Sequence, residues 1–209
     1  VDNPVAGSVV TLTVGGNNNS PTFSGILTNS GVGAVLSLVK VGTGTQSLSG
    51  TNFINGSVGV EEGVLALSGV ANLSASTSVT VEAGATLQTI GRNDGTLTVP
   101  PTQLLQGDGT LIGILTNQGV VAPGLPVGTL ILTGNYSQAA SGTLRLALAS
   151  PSSYDSLRAS GSALLSGALE VALDSYAPVA GDVFTVARFS SRTGGFATTN
   201  LPALTAGLG

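Results

Sequence analysis

The sequence predicts an all-β chain, coiled into a β-solenoid that forms one elongated domain. Three observations point there: a composition rich in Gly and poor in aromatic and charged residues, a recurring Gly-led unit of alternating apolar residues, and a near absence of helix signals. Of 209 residues, 31 are Gly, 8 % are charged and 4 % are aromatic, and there is no Cys, His, Met or Trp. A chain without the aromatics that usually anchor a globular core must draw its stability from many small β-branched and Leu contacts repeated along its length. Its 42 % hydrophobic content lies far outside the disordered range, so the chain folds or assembles.

The recurring unit reads GVLALSG from Gly63, GATLQTIG from Gly84, GTLTV from Gly95, GTLIGIL from Gly109, GTLILTG from Gly128, GTLRLAL from Gly142 and GALEVAL from Gly167. Each is a period-2 strand with Leu or Val on one face and Thr, Ser, Ala, Arg or Glu on the other. The intervals between the glycines are irregular, about one to two dozen residues, which excludes a strict tandem array and suits coils of two or three short strands. The stretches GGNNNSP (15–21), RNDG (92–95), QGDG (106–109), APGLPVG (122–128) and ASPSSYDS (149–156) supply turn residues for the corners. TQLLQ at 102–106 follows two prolines and reads as strand or corner, not helix. A globular sandwich would carry more aromatics and a less monotonous unit.

The net charge is −4, and the six basic residues, Lys40, Arg92, Arg145, Arg158, Arg188 and Arg192, are scattered. With no basic stripe to neutralise phosphates, nucleic acid is not an expected partner. The lack of Cys removes disulfides and thiolate metal sites and fits a cell-surface protein that relies on backbone pairing. The chain starts at Val1 with no charged n-region and apolar run, so an export signal is expected to have been removed. No run of about 18 apolar residues is present, so no membrane-spanning helix is expected.

Residues 11–69 resemble the autotransporter-associated β-strand repeat of bacterial surface proteins, in which a GGNN…TFSG hairpin leads to L.K.G.GT..LSG.N and then V..G.L.L. The matching positions are Gly15, Gly16, Asn17, Phe23, Ser24, Gly25, Leu38, Lys40, Gly42, Gly44, Thr45, Leu48, Ser49, Gly50, Asn52, Gly63 and Leu65. Residues 128–196 look like the C-terminal passenger coils of the same proteins, with G.Y.Q...G.L.L.L, D.L...G.A.L.G.L.V.L, P..GD.F....F and G.F in that order. The resemblance implies a right-handed parallel β-helix on the cell surface, serving as stalk or adhesive scaffold. It divides the domain into repeat-like coils at 1–69, central coils at 70–127 and passenger-like coils at 128–209. In place of the usual NTYTGGTTV hairpin this chain has TNFINGSVGV. Family members continue past the position of Gly209 with an aromatic and another strand. A processed or excised passenger, or a terminal coil completed by something else, is therefore expected.

Candidate chemistry is sparse. Asp94 and Asp108 are about one coil apart and could stack as paired acids, yet both sit in turn contexts, NDG and GDG, where Asp supports its own corner. Glu61 and Glu62 are adjacent, so their side chains diverge. Asp155 and Asp182 fall on family-like YDSL and GDVF positions, which suggests fixed turn roles. No calcium-loop pattern is present, and without His or Cys the usual nucleophile–base arrangements cannot be built. Lys40, the sole lysine, reads as structural. The clusters GVGAV and GTGTQ open no helix and read as corners, not phosphate loops. Sequons at Asn18, Asn55, Asn72 and Asn135 are of the kind Ser-rich β proteins produce by chance. Tyr136, Tyr154 and Tyr176 are expected to cover coil edges. No enzyme activity and no cofactor are expected.

A solenoid has two exposed ends with unpaired backbone groups and an apolar floor, which must be capped or used for association. Pro4 and Pro202 protect these ends in part, and no amphipathic helix offers a lid. The expectation is a non-enzymatic structural protein, extracellular or on a bacterial surface, that binds itself head-to-tail into fibres, a surface layer or a stalk. The contact residues expected are Ser8, Val9, Val10, Thr11, Leu12, Thr13 and Val14 on one side and Leu204 and Leu208 on the other. The alternative is a monomeric adhesin passenger whose corners, Asn17 to Asn19 among them, meet a glycan or protein on host or neighbouring cells.

Overall fold

The computed structural model of the chain describes residues 1–203 as a parallel β-solenoid, with no helix among them. A coil runs through up to three sheets. In one coil, Val120–Pro123 lies in the first sheet, Thr129–Thr133 in the second and Tyr136–Gln138 in the third. The first sheet stacks nine rungs, from Val9–Val14 to Thr198–Asn200, and the second stacks eight, from Thr22–Phe23 to Ala187–Arg188. The third is a continuous ladder from Thr96–Val99 to Ser191–Gly194. Earlier coils keep single bridges on that side, Asp2 with Thr28 and Leu27 with Asn52.

The period-2 pattern explains the core. Inward positions of the first sheet stack as Leu38, Val58, Val79, Leu105, Val121 and Leu144, all fully buried. The second sheet contributes Leu65, Leu87, Leu111 and Leu132, and the third Leu97, Leu115 and Tyr136. Each such aliphatic burial contributes about 1.5–3 kcal/mol, and each side chain rests on its counterpart one rung away. The irregular glycine spacing becomes irregular coil length. First-sheet partners lie 26 residues apart for Val9 and Val35, 16 for Leu104 and Val120, and 30 for Ala168 and Thr198.

Six of the seven Gly-led units each form one strand, and residues 104–107 form another in place of a helix. GTLIGIL instead divides into Thr110–Ile112 in the second sheet and Ile114–Asn117 in the third. Gly113, at φ 140°, makes the corner between them, where a Cβ would overlap the hydroxyl of Thr89. The hairpins expected from the resemblance are not hairpins here. Val9–Val14 and Thr22–Phe23 belong to different sheets, and Ser57–Val60 pairs in parallel with Val35–Lys40. Among the named strands, antiparallel pairing is confined to Ser153–Tyr154 folding back on Thr143–Ser150.

Corners leave carbonyls outside the regular ladders or with acceptor capacity to spare, and buried side chains supply donors to them. The Lys40 ammonium is fully buried and donates to the carbonyls of Val41 at 2.9 Å, Gly42 at 2.7 Å and Glu62 at 3.1 Å. Gln138 Nε2 donates to the carbonyls of Gly142, Ser166 and Ala168 at 3.0, 2.9 and 2.8 Å. Gln103 does the same for Leu73 and Ser76. Asn55 clips its corner both ways, donating to Ala34 and accepting from the Leu36 N–H.

Candidate functional site

The two ends of the stack are where the fold leaves backbone groups and core unpartnered among the described residues. At the first end, the Val35 N–H donates to Ser8 O and the Val41 N–H to Val14 O. In a parallel ladder this phase turns the N–H groups of Val10, Leu12 and Val14 toward the stack. The N–H and C=O groups of Val9, Thr11 and Thr13 are left at the open edge. Side chains follow their own alternation. Val10, Leu12 and Val14 stand in register with inward-facing Leu36, Leu38 and Lys40, while Val9, Thr11 and Thr13 face outward. Below this edge the core is open as a cavity of about 150 Å³, lined by Leu12, Val14, Phe23, Leu27, Leu38 and Leu48 among others.

Exposed apolar residues gather at the ends more than in the body. Val1, Val5, Val9, Ile26, Val32 and Phe53 are each more than half exposed toward this end and Val179, Val183 and Leu201 toward the other, against Val70, Ile90 and Leu164 in the body of the stack. Isolated surface apolar residues are ordinary, but a cluster around an open core edge is not.

The other end presents Thr198–Asn200, Ala187–Arg188 and Ser191–Gly194 as outermost rungs of the first, second and third sheets. Val186, Phe189 and Phe196 pack against the core there as partly buried residues. Phe189 stacks on Tyr136, with ring centroids 5.9 Å apart. The excursion between Ala168–Leu173 and Ala187–Arg188 folds over Phe184, which meets Tyr154 edge-on at 5.3 Å and Tyr176 at 6.1 Å. Leu148, Val171, Leu173, Pro178, Phe184 and Leu201 line a cavity of about 350 Å³ beside it. The Tyr176 hydroxyl donates to Asp182, which also accepts the Val179 N–H at 2.7 Å. This pairing draws the Asp182 carboxyl below its usual range and pushes the Tyr176 phenol up to about 12.

Of the expected contact residues, Val9 to Val14 form the edge rung as one strand. Ser8 does not belong to it: its hydroxyl turns back to Asn3 Oδ1 and Val5 O, both at 2.7 Å, so it closes the preceding corner. Leu204 and Leu208 lie outside the described residues. The two acids that spacing could have paired, and that their NDG and GDG contexts assign to turns, lie in separate corners. Asp94 sits between the second and third sheets, and Asp108 between the first and second.

Asp94 accepts from Arg92 Nε and the Thr96 N–H, each at 3.0 Å, and these bonds hold its carboxyl at about 2. Asp155 caps its corner by accepting the N–H groups of Gly128 at 2.9 Å and Ala147 at 2.8 Å, while burial raises its pKa. Burial lowers the pKa of Lys40. Tyr176 lies within the excursion and Tyr154 meets it through Phe184, but Tyr136 corrects the expectation of edge cover: it is a core residue, 1 % exposed, donating to Gln138 Oε1.

Two features were not visible residue by residue. The corner amides sit at no fixed offset from a turn signal, and Gly, Asn and Gln counts alone do not identify them. The arginines that look scattered include Arg158 and Arg188, which the 30-residue coil brings onto adjacent rungs in register. No protein-family model and no curated protein matches this chain.

Proposed function

We propose that the chain is a non-enzymatic structural protein that associates head-to-tail, one subunit's Val9–Val14 rung continuing the first sheet beyond another's Thr198–Asn200. The observation that carries this reading is the stagger of the two ends. Among the described residues, the first pairing lies on the third side, where Asp2 bridges Thr28, and the last on the first, at the rung of Thr198–Asn200. Two chains set end to end fit like the faces of a split washer, so each sheet can run on in parallel across the junction. Open edge N–H and C=O groups gain partners, and the apolar end surfaces leave water. Such a heterologous contact does not close and grows into a fibre.

The resemblance of residues 11–69 and 128–196 to autotransporter passengers supports a place outside the cell, on a bacterial surface or released from it. A solenoid interior dominated by aliphatic ladders suits mechanical service there, and the acids that could have served catalysis are engaged in or spread among separate corners. Sedimentation velocity and negative-stain electron microscopy of the purified chain test the proposal, with the double variant Thr11→Pro, Thr13→Pro as comparison. Proline at these two positions removes donors that point away from the stack and no ladder bond within it. Filaments from the parent chain and folded monomers from the variant are expected. Monomers from the parent, which would favour the adhesin reading, or unaltered filaments from the variant, would contradict it.

A further inference from the structure

We infer that the outer face of the second sheet carries a binding groove for an acidic polysaccharide, with Arg158 and Arg188 as its anion-recognising residues. The outward ladder of this sheet runs through Thr86, Thr110, Ile131, Arg158 and Arg188, each in register with the next. The two guanidinium-bearing residues therefore occupy adjacent rungs, whose strands are spaced by roughly 4.8 Å. Both are exposed. Among the described residues neither makes an ion pair or donates a side-chain hydrogen bond; the pairs present are Arg92 with Asp94 and Arg145 with Glu170.

That contrast is informative. On the first sheet Arg145 faces Glu170 in register, joined at 3.1 Å, so the fold can place an acid opposite an arginine. On the second sheet an arginine faces an arginine, in a chain with ten acidic residues and net charge −4. Like charges directly opposite on neighbouring strands repel, and an anion lying across both relieves the repulsion. Guanidinium groups suit this role because their planar donors engage carboxylate or sulfate in a bidentate manner.

The surroundings select the ligand further. The two arginines border an open groove of about 530 Å³ that spans three rungs and is also lined by Ile131, Thr133, Ser160 and Ser190. A lining that combines hydroxyl-bearing Thr133, Ser160 and Ser190 with apolar Ile131 and Phe189 matches a polyhydroxylated chain with spaced anionic groups. Two adjacent guanidinium groups with no wider basic stripe around them suit a chain with spaced anionic groups better than the unbroken phosphate run of a nucleic acid. The groove opens on the lateral face, and its last rung, Ala187–Arg188, is the outermost of the second sheet; a strand added at that edge by head-to-tail association would lie beside Arg188 and not over the face, so the inference is tested separately from association of the ends. In a fibre the groove would recur once per subunit and gain avidity.

Isothermal titration calorimetry at low salt tests this with three defined oligosaccharides: an oligogalacturonate tetramer, a heparin-derived tetrasaccharide and neutral cellotetraose. Saturable binding of one or both acidic probes is expected, weakened by added salt, with carboxylate or sulfate preference read from which binds. Arg158→Ala with Arg188→Ala should lower that affinity at least tenfold with an unchanged circular dichroism spectrum, and Arg145→Ala should leave it within twofold of the parent. Four outcomes would overturn the inference: no binding of either acidic probe, equal binding of cellotetraose, equal loss on Arg145→Ala, or tighter binding of an oligothymidylate. If the double variant changes sedimentation but not glycan binding, the arginines serve a protein contact and the inference also fails.

Discussion

The ammonium group of Lys40 donates to the carbonyl oxygen of Glu62 at 3.1 Å, joining one coil to the next from inside the stack. Lys40 is in register with Val60, itself a core residue, so its aliphatic stem continues the ladder while its charged tip fills the corner. Burial of a cation is costly unless its donors are used, and here three carbonyls use them. Lys40→Met keeps the stem's volume and strands those carbonyls. The expected loss is about 2–4 kcal/mol, read as a lower midpoint in chemical denaturation.

Corner geometry makes a second prediction. Gly134 has φ 153°, and a Cβ there would overlap the carbonyl oxygen of Gly113 on the coil below; Gly84 has φ 79° but open space around it. Gly134→Ala should therefore cost about 3 kcal/mol or more, since both strain and a backbone collision must be relieved. Gly84→Ala should cost only about 1–2 kcal/mol, the left-handed backbone penalty alone. Thermal unfolding of the two variants side by side separates these effects.

Acid sensitivity follows from Asp94. Its folded pKa of about 2 lies below the ordinary value of 3.8 because Arg92 and then the Thr96 N–H stabilise the carboxylate. A depressed acid contributes stability that is present above the unfolded pKa and lost as pH falls through the folded one. Asp94→Asn should thus be less stable than the parent at pH 6, by about 0.5–1 kcal/mol after solvent screening, with the difference closing as pH approaches 2. Asp155 works in the opposite sense, since burial raises its pKa: its contribution is present at low pH and lost as pH rises through the raised value. Denaturation midpoints across pH 2–6 distinguish the two signs.

The fold was legible because its physics is local and repeated. Gly142 followed by TLRLAL announces a strand with Leu144 and Leu146 inward, and both are fully buried. Coil closure was less legible. Nothing in GTLIGIL marks Gly113 as the corner between two sheets until Thr89 is placed beside it. Spacing alone brought Asp94 and Asp108 to neighbouring coils but not to the same corner, since coils vary from 16 to 30 residues. The same variation hid the register of Arg158 with Arg188. The edge strand Val9–Val14 was readable because its alternation extends to the first rung. Ser8 was not separable from it, because its bond to Asn3 belongs to a corner that no period describes.

The proposed head-to-tail stacking would have a length set by its rungs. The nine first-sheet rungs among the described residues, with one further rung spacing across the junction, would repeat every 43 Å or so, about nine times the 4.8 Å strand separation. Cryo-electron microscopy of filaments from the untagged chain measures that spacing directly. A subunit rise near 43 Å with strands perpendicular to the fibre axis is the predicted result; a rise unrelated to nine rungs, strands along the axis, or no filament at any concentration would contradict it.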